Sequence, residues 1–247
     1  MLPQNIETII FDLDGTLRHN VPNADETMFN FAIELGLPTT SECRRKGAQW
    51  AHYYWAQSPE LVEDVKKFDR HLDRDFWRNY AARYLEALGI KEKDATELGP
   101  KLAHRMETEF TPQSIVRPAD LETLKQLRTE GYTIGLVSNR SNPCQQECEE
   151  LGLLPYLDFA YVAAEVNTWK PDPAIFERAF EITQSQPENI IYIGDNYYAD
   201  IIAARRAGLY PILIDPHSIF PEADCTTINA VSDLPTILPP QKHHSVG

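Results

Sequence analysis

The chain has 247 residues, 43% of them hydrophobic and 24% charged, with 37 acidic side chains against 23 basic ones and a formal charge of −14. That length allows one large domain or two small ones, with a core that needs no covalent staples. The acidity excludes a general nucleic-acid binder, which needs net cation to release phosphate counterions, and it excludes docking on anionic membranes.

No stretch approaches the roughly 20 apolar residues of a membrane span. The start, MLPQNIETIIFDLDG, shows no cationic leader followed by an apolar run, so no signal peptide is expected and a cytoplasmic protein is. Cys43, Cys144, Cys148 and Cys225 are too sparse for a disulfide framework and fit reduced thiols.

In chain order, residues 7–12 (ETIIFD) read as a short buried strand. Asn23 starts a helix, with Glu26 as capping-box partner and Gly36 as its stop. Further helices are expected over 41–57, 60–69, 74–88 and 94–109. From Pro118 strands and helices alternate: helix 119–130, strand 132–138, a helix from Asn142-Pro143 to Leu151, strand 159–163 and a helix from Asp172-Pro173 to Thr183. Strand 190–193, helix 198–207, strand 210–214 and a short helix near 233–238 complete the series, and the tail QKHHSVG reads as frayed.

Five strands separated by helices predict an α/β fold: a doubly wound, mostly parallel, five-stranded Rossmann-like sheet. Residues 1–17 and 113–247 form its core, and residues 18–112, which show helical stretches only, form an inserted domain. The charge divides the same way, with a net −2 in the insert and −12 in the two flanks. Ligands of such sheets bind at the carboxyl ends of the strands. The polar residues there are Asp12 and Asp14, Ser138 and Asn139, and Asp195 with Asp200, joined by Lys170 in the loop after the third strand.

FDLDGTL at 11–17, VSN at 137–139, WKPDPAIF at 169–176 and GDNYYAD at 194–200 resemble, in order and spacing, the four motifs of the haloacid dehalogenase-like hydrolase superfamily. The likeness covers nearly the whole chain and implies that the insert is a helical cap. It implies that Asp12 attacks phosphorus to form an aspartyl-phosphate, and that Asp14 protonates the leaving group and later activates water. It also implies a Mg2+ ion held by Asp12, Asp195 and the main-chain carbonyl of Asp14. A hard cation asks for oxygen ligands of this kind.

Asp200 is expected to support the metal waters or Lys170, and Thr16 to hydrogen-bond its own loop. Ser138, Asn139 and Lys170 are the expected phosphate-binding groups, Lys170 supplying fixed positive charge. Arg140 either bridges locally or reaches substrate, His19 is either structural or a substrate contact, and Arg18 lies on the leaving-group side. Because Asp14 is an aspartate, phosphate is favoured over halide.

The expected activity is a magnesium-dependent phosphatase acting on a small phosphorylated metabolite. A phosphomutase and a non-catalytic regulatory protein are the alternatives. A hinge is expected at 17–22 and 110–117. Among the aromatics of the insert, Trp77, Tyr80 and Tyr84 share helical spacing and suggest a buried face, whereas those around Trp50 are spread about their helix.

Overall fold

The computed structural model describes residues 2–3, 5–37, 40–68 and 73–238. The end of the expected helix 60–69 and the tail 241–247, with His243 and His244, lie outside the described residues. The chain divides into two compact units at His19/Asn20 and at Ser114/Ile115.

β1 (Thr8–Phe11) leads to β2 (His19–Val21) and then to five helices: α1 (Ala24–Glu34), α2 (Ser41–Trp55), α3 (Pro59–Lys67), α4 (Arg74–Ala87) and α5 (Glu92–Glu109). β3 (Gln113–Ile115) pairs with β2. There follow α6 (Pro118–Thr129), β4 (Thr133–Ser138), α7 (Gln145–Glu150), β5 (Phe159–Val162), α8 (Ala163–Val166) and α9 (Glu177–Thr183). The chain continues through β6 (Ile190–Gly194), α10 (Ile202–Arg206), β7 (Tyr210–Ile214), β8 (Thr226–Ile228) and α11 (Leu234–Ile237).

The central sheet has the order β5-β4-β1-β6-β7-β8, and every pairing is parallel. Its strands are apolar on both sides because helices cover both faces. Ile9, Phe11, Leu136, Ile191 and Ile193 pack on one side with Leu124 and Leu127 of α6. Their neighbours Ile10, Val137, Ile190 and Tyr192 pack on the other with Ile175, Phe176, Ala203 and Ala204. Each such burial is worth about 1.5–3 kcal/mol before entropy is charged against it. β1 lies between β4 and β6, in register Phe11↔Leu136 and Phe11↔Ile193. The residues after Phe11 therefore emerge where the strand order reverses, the place such sheets bind ligands.

Among the described residues the sheet has six strands where the sequence suggests five. β8 is only three residues, TTI, at the edge of the sheet, and carries too few apolar positions to stand out. α7 begins at Gln145 with Cys144 as its N-cap, two residues after the expected Asn142-Pro143 start. The stretch 173–183 is a 3-10 turn followed by α9. The stretch 197–206 is a π-helical turn followed by α10. β2 and β3 supply strand at the borders of the insert, where helix alone was anticipated.

Within the unit of residues 20–114, Asn23 caps α1 by accepting from the Glu26 amide at 3.0 Å. Its core is aromatic: Trp50, Tyr54 and Tyr80 lie with ring centroids 5.0–5.3 Å apart. Tyr54 donates to the buried carboxylate of Asp64 at 2.9 Å. Tyr80 and Tyr84 are buried, whereas Trp77 is 45% exposed. Trp77 lies with Trp55 and Met106 on a cavity of about 650 Å³ inside this unit, so the shared helical spacing overstates the buried face by one residue.

Candidate active site

Asp12 directly follows β1, and its amide donates to Ile193 O of β6 at 2.8 Å. The chain then turns sharply: the amides of Leu17 and Arg18 both donate to Leu13 O, and that of Gly15 to Arg18 O. Gly15 sits at φ +83°, and a Cβ there would stand 2.2 Å from Asp195 Oδ2. The turn requires glycine for both reasons. Thr16 Oγ1 donates to Asp195 Oδ1 at 3.3 Å, across to the end of β6, while its amide donates to Leu13 O within its own loop.

Lys170 is 2% exposed. Its Nζ donates to Asp12 Oδ1 at 2.7 Å, Asp200 Oδ1 at 2.6 Å and Tyr192 OH at 2.7 Å. Burial disfavours its charge, yet Asp12 and Asp200 hold its pKa above the usual lysine value. Asp200 also accepts from the Asn196 amide at 2.8 Å. Gly194 admits Asp200 to this position, because a Cβ there would lie 2.3 Å from its carboxylate.

Burial raises the Asp12 carboxyl to about 6 against the pull of Lys170, with Asp200 and Asp14 repelling in the same direction as burial. Burial, and then Asp200 and Asp12, push the half-buried Asp195 well above the carboxylate range. Oxygens of Asp12, Asp195 and Asp200 lie within 4.8 Å of one another.

Ser138 ends β4, buried, paired in register with Val162. Asn139 is turned to the main chain of Lys170: Nδ2 donates to Lys170 O at 2.8 Å and Oδ1 accepts from Lys170 N at 2.7 Å. Arg140 takes the local option, bridging Asp14 and Glu147. Arg18 bridges the same two carboxylates. His19 Nε2 stands 3.7 Å from Asp120 Oδ2, a buried carboxylate on α6. The Asp14 carboxylate therefore faces arginines, while those of Asp12 and Asp200 hold Lys170 and that of Asp195 lies beside them.

Tyr192 and Glu147 were not singled out from the sequence. A tyrosine inside the apolar strand IIYIG carries a usable signal, since a buried phenol needs a partner. Its hydroxyl donates to Val137 O at 2.8 Å. Glu147, one of several acids in QQECEE, carries none.

Carboxylates gathered at the switch point of a parallel sheet beside a buried lysine suit hydrolytic chemistry on a Rossmann-like scaffold. The family model for haloacid dehalogenase-like hydrolases matches residues 6–208, and the chain belongs to that family. It is 26% identical to the glyceraldehyde 3-phosphate phosphatase of Methanothermobacter thermautotrophicus, over 94% of this chain and 100% of that protein. It is 27% identical to the ribulose-1,5-bisphosphate 5-phosphatase of Halopiger xanaduensis, over 88% of this chain and 87% of that one. Among solved structures, a HAD phosphatase from Thermococcus onnurineus shares the fold at TM-score 0.55 and 22% identity, covering 96% of this chain and 99% of that chain. No helix among the described residues is long and apolar enough to cross a membrane.

Proposed function

We propose that the protein is a magnesium-dependent phosphatase that hydrolyses a small phosphorylated metabolite through an aspartyl-phosphate on Asp12. The reading is carried by one observation: the buried Lys170 ammonium bonded to both Asp12 and Asp200, in a family whose named relatives here are phosphatases. The carboxylates fit a hard divalent cation, because three oxygen donors crowd within 4.8 Å and burial and repulsion raise two of their pKa values. Asp12, Asp195 and the main-chain carbonyl of Asp14 would hold Mg2+, with Asp200 supporting them. When bound, the ion supplies positive charge to the phosphoryl oxygens.

The remaining work falls to the chain. Lys170 orients the Asp12 carboxylate and offsets its repulsion from the incoming anion. Ser138 donates to the phosphoryl group, and Asn139 fixes the Lys170 loop. The Asp12 carboxylate attacks phosphorus, the ester P–O bond breaks, and the leaving oxygen takes a proton from Asp14. Water then attacks the phosphoryl group, gives its proton to Asp14 and frees Asp12. The acidic core and the absence of basic surplus support a small-molecule partner rather than nucleic acid or membrane.

The test is phosphate release from a panel of phosphorylated metabolites with magnesium. Activity is expected in the wild type, lost on adding EDTA and lost in Asp12→Asn. Equal release by Asp12→Asn would overturn the mechanism, and indifference to EDTA the metal assignment. Return of the phosphoryl group to the organic product instead of water would identify a mutase.

A further inference from the structure

The Asp14 carboxylate is held by two guanidinium groups. Arg140 grips it in a fork, Nε to Oδ2 at 2.6 Å and Nη2 to Oδ1 at 2.7 Å, and Arg18 Nη1 adds a third bond to Oδ1 at 2.9 Å. Glu147 holds the far side of the same pair, accepting from Arg18 Nε at 2.5 Å and from Arg140 Nη1. Burial works against the charge of Glu147, but the hydrogen bonds and charges of Arg140 and Arg18 outweigh it and lower its pKa. Two cations thus face two anions, and the arginine side chains are about four fifths buried.

In this arrangement both Asp14 oxygens accept from guanidinium groups, so turning Asp14 toward a leaving oxygen means breaking these bonds. Once it turns, three N–H groups lose their acceptor in a largely buried place, which is costly. The local charge also rises by one. A planar carboxylate restores all three bonds and the balance, since it has the shape the fork already holds. We propose that Arg18 and Arg140 form a binding site for a carboxylate on the leaving group of the phosphomonoester, which displaces Asp14; out of the fork, the part-exposed Asp14 takes a proton from water and can then give it to the leaving oxygen. Glu147 is the positioning residue that keeps both guanidiniums aimed. Substrate choice and release of the acid are then one event: a neutral leaving group leaves Asp14 in the fork.

This inference rests on the phosphatase reading for its substrate, but its test does not require turnover. In the Asp12→Asn protein with magnesium, the dissociation constants of 2-phosphoglycolate and its carboxamide analogue are compared by calorimetry. The two differ in one charge and little in size. The carboxylate is expected to bind at least tenfold more tightly, and adding Arg140→Gln is expected to bring the two within about twofold. If Arg140→Gln does not fold, Arg18→Gln, which removes one of the three bonds, should still lower the ratio at least threefold. Equal binding of the two compounds, binding of neither, or a tenfold preference unchanged by either arginine variant overturns the proposal. Absence of phosphate release from any compound by the wild type counts against the phosphatase reading alone.

Discussion

Both ends of the Asn139 side-chain amide are bonded to the main chain of Lys170, at 2.8 Å and 2.7 Å. These bonds join the end of β4 to the loop that carries the buried cation. Asn139→Ala is expected to lower kcat about tenfold or more by loosening Lys170, and to cost about 1–3 kcal/mol of stability. Wild-type kcat in that variant, measured as phosphate release, would refute a positioning role for Asn139.

Gly194 lies where a Cβ would collide with the Asp200 carboxylate at 2.3 Å. Gly194→Ala should push Asp200 off Lys170 and reduce activity by about 10²-fold or more, comparable to losing a fixed charge partner. The check is steady-state kinetics beside circular dichroism, since a folded and fully active variant would contradict the geometry.

The raised carboxyl groups of the acid cluster tie stability, and the proposed metal binding, to pH. The folded-state pKa of Asp12 is about 6, against an ordinary value of 3.8. Between those values the folded protein holds more protons than the unfolded chain, so this group makes metal-free stability fall as pH rises toward 6 and level off above it. The raised Asp195 acts with the same sign. If these carboxylates hold magnesium as proposed, the ion and protons compete for them. Saturating magnesium should therefore raise the melting temperature more at pH 7.5 than at pH 5, and equal shifts at both would show that the cluster is not its site.

In the helical unit, Tyr54 OH donates to Asp64, which is 2% exposed and also bridged by Arg83. Tyr54→Phe leaves that carboxylate one donor short. The expected cost is about 1–3 kcal/mol, or several degrees of melting temperature by calorimetry. An unchanged melting temperature would mean that Arg83 alone satisfies Asp64.

Asp12, Asp14, Lys170, Asp195 and Asp200 were legible as motif residues because each follows a recognisable strand or marks the loop after one. What each side chain touches was not legible. The partners of Lys170 lie 158, 30 and 22 residues away in sequence, and no local pattern encodes such distances. Arg140 was left between a local bridge and the substrate, and the fork on Asp14 shows the bridge. Asn139 read as a phosphate donor because it ends a strand, whereas its bonds run to a loop 31 residues on.

The sequence by itself determined the α/β class, the alternation of strands and helices after Pro118, and the acids that follow the strand ends. These depend on local periodicity and on residue types in order along the chain. Only the tertiary structure decided the sixth strand, the pairing of Lys170 with Asp200 and Tyr192, and the clasp of Arg18 and Arg140 on Asp14. Those depend on parallel crossovers that bring distant strand ends together. The acids at the strand ends are, in the folded protein, answered by a buried lysine and two arginines within hydrogen-bond distance of them.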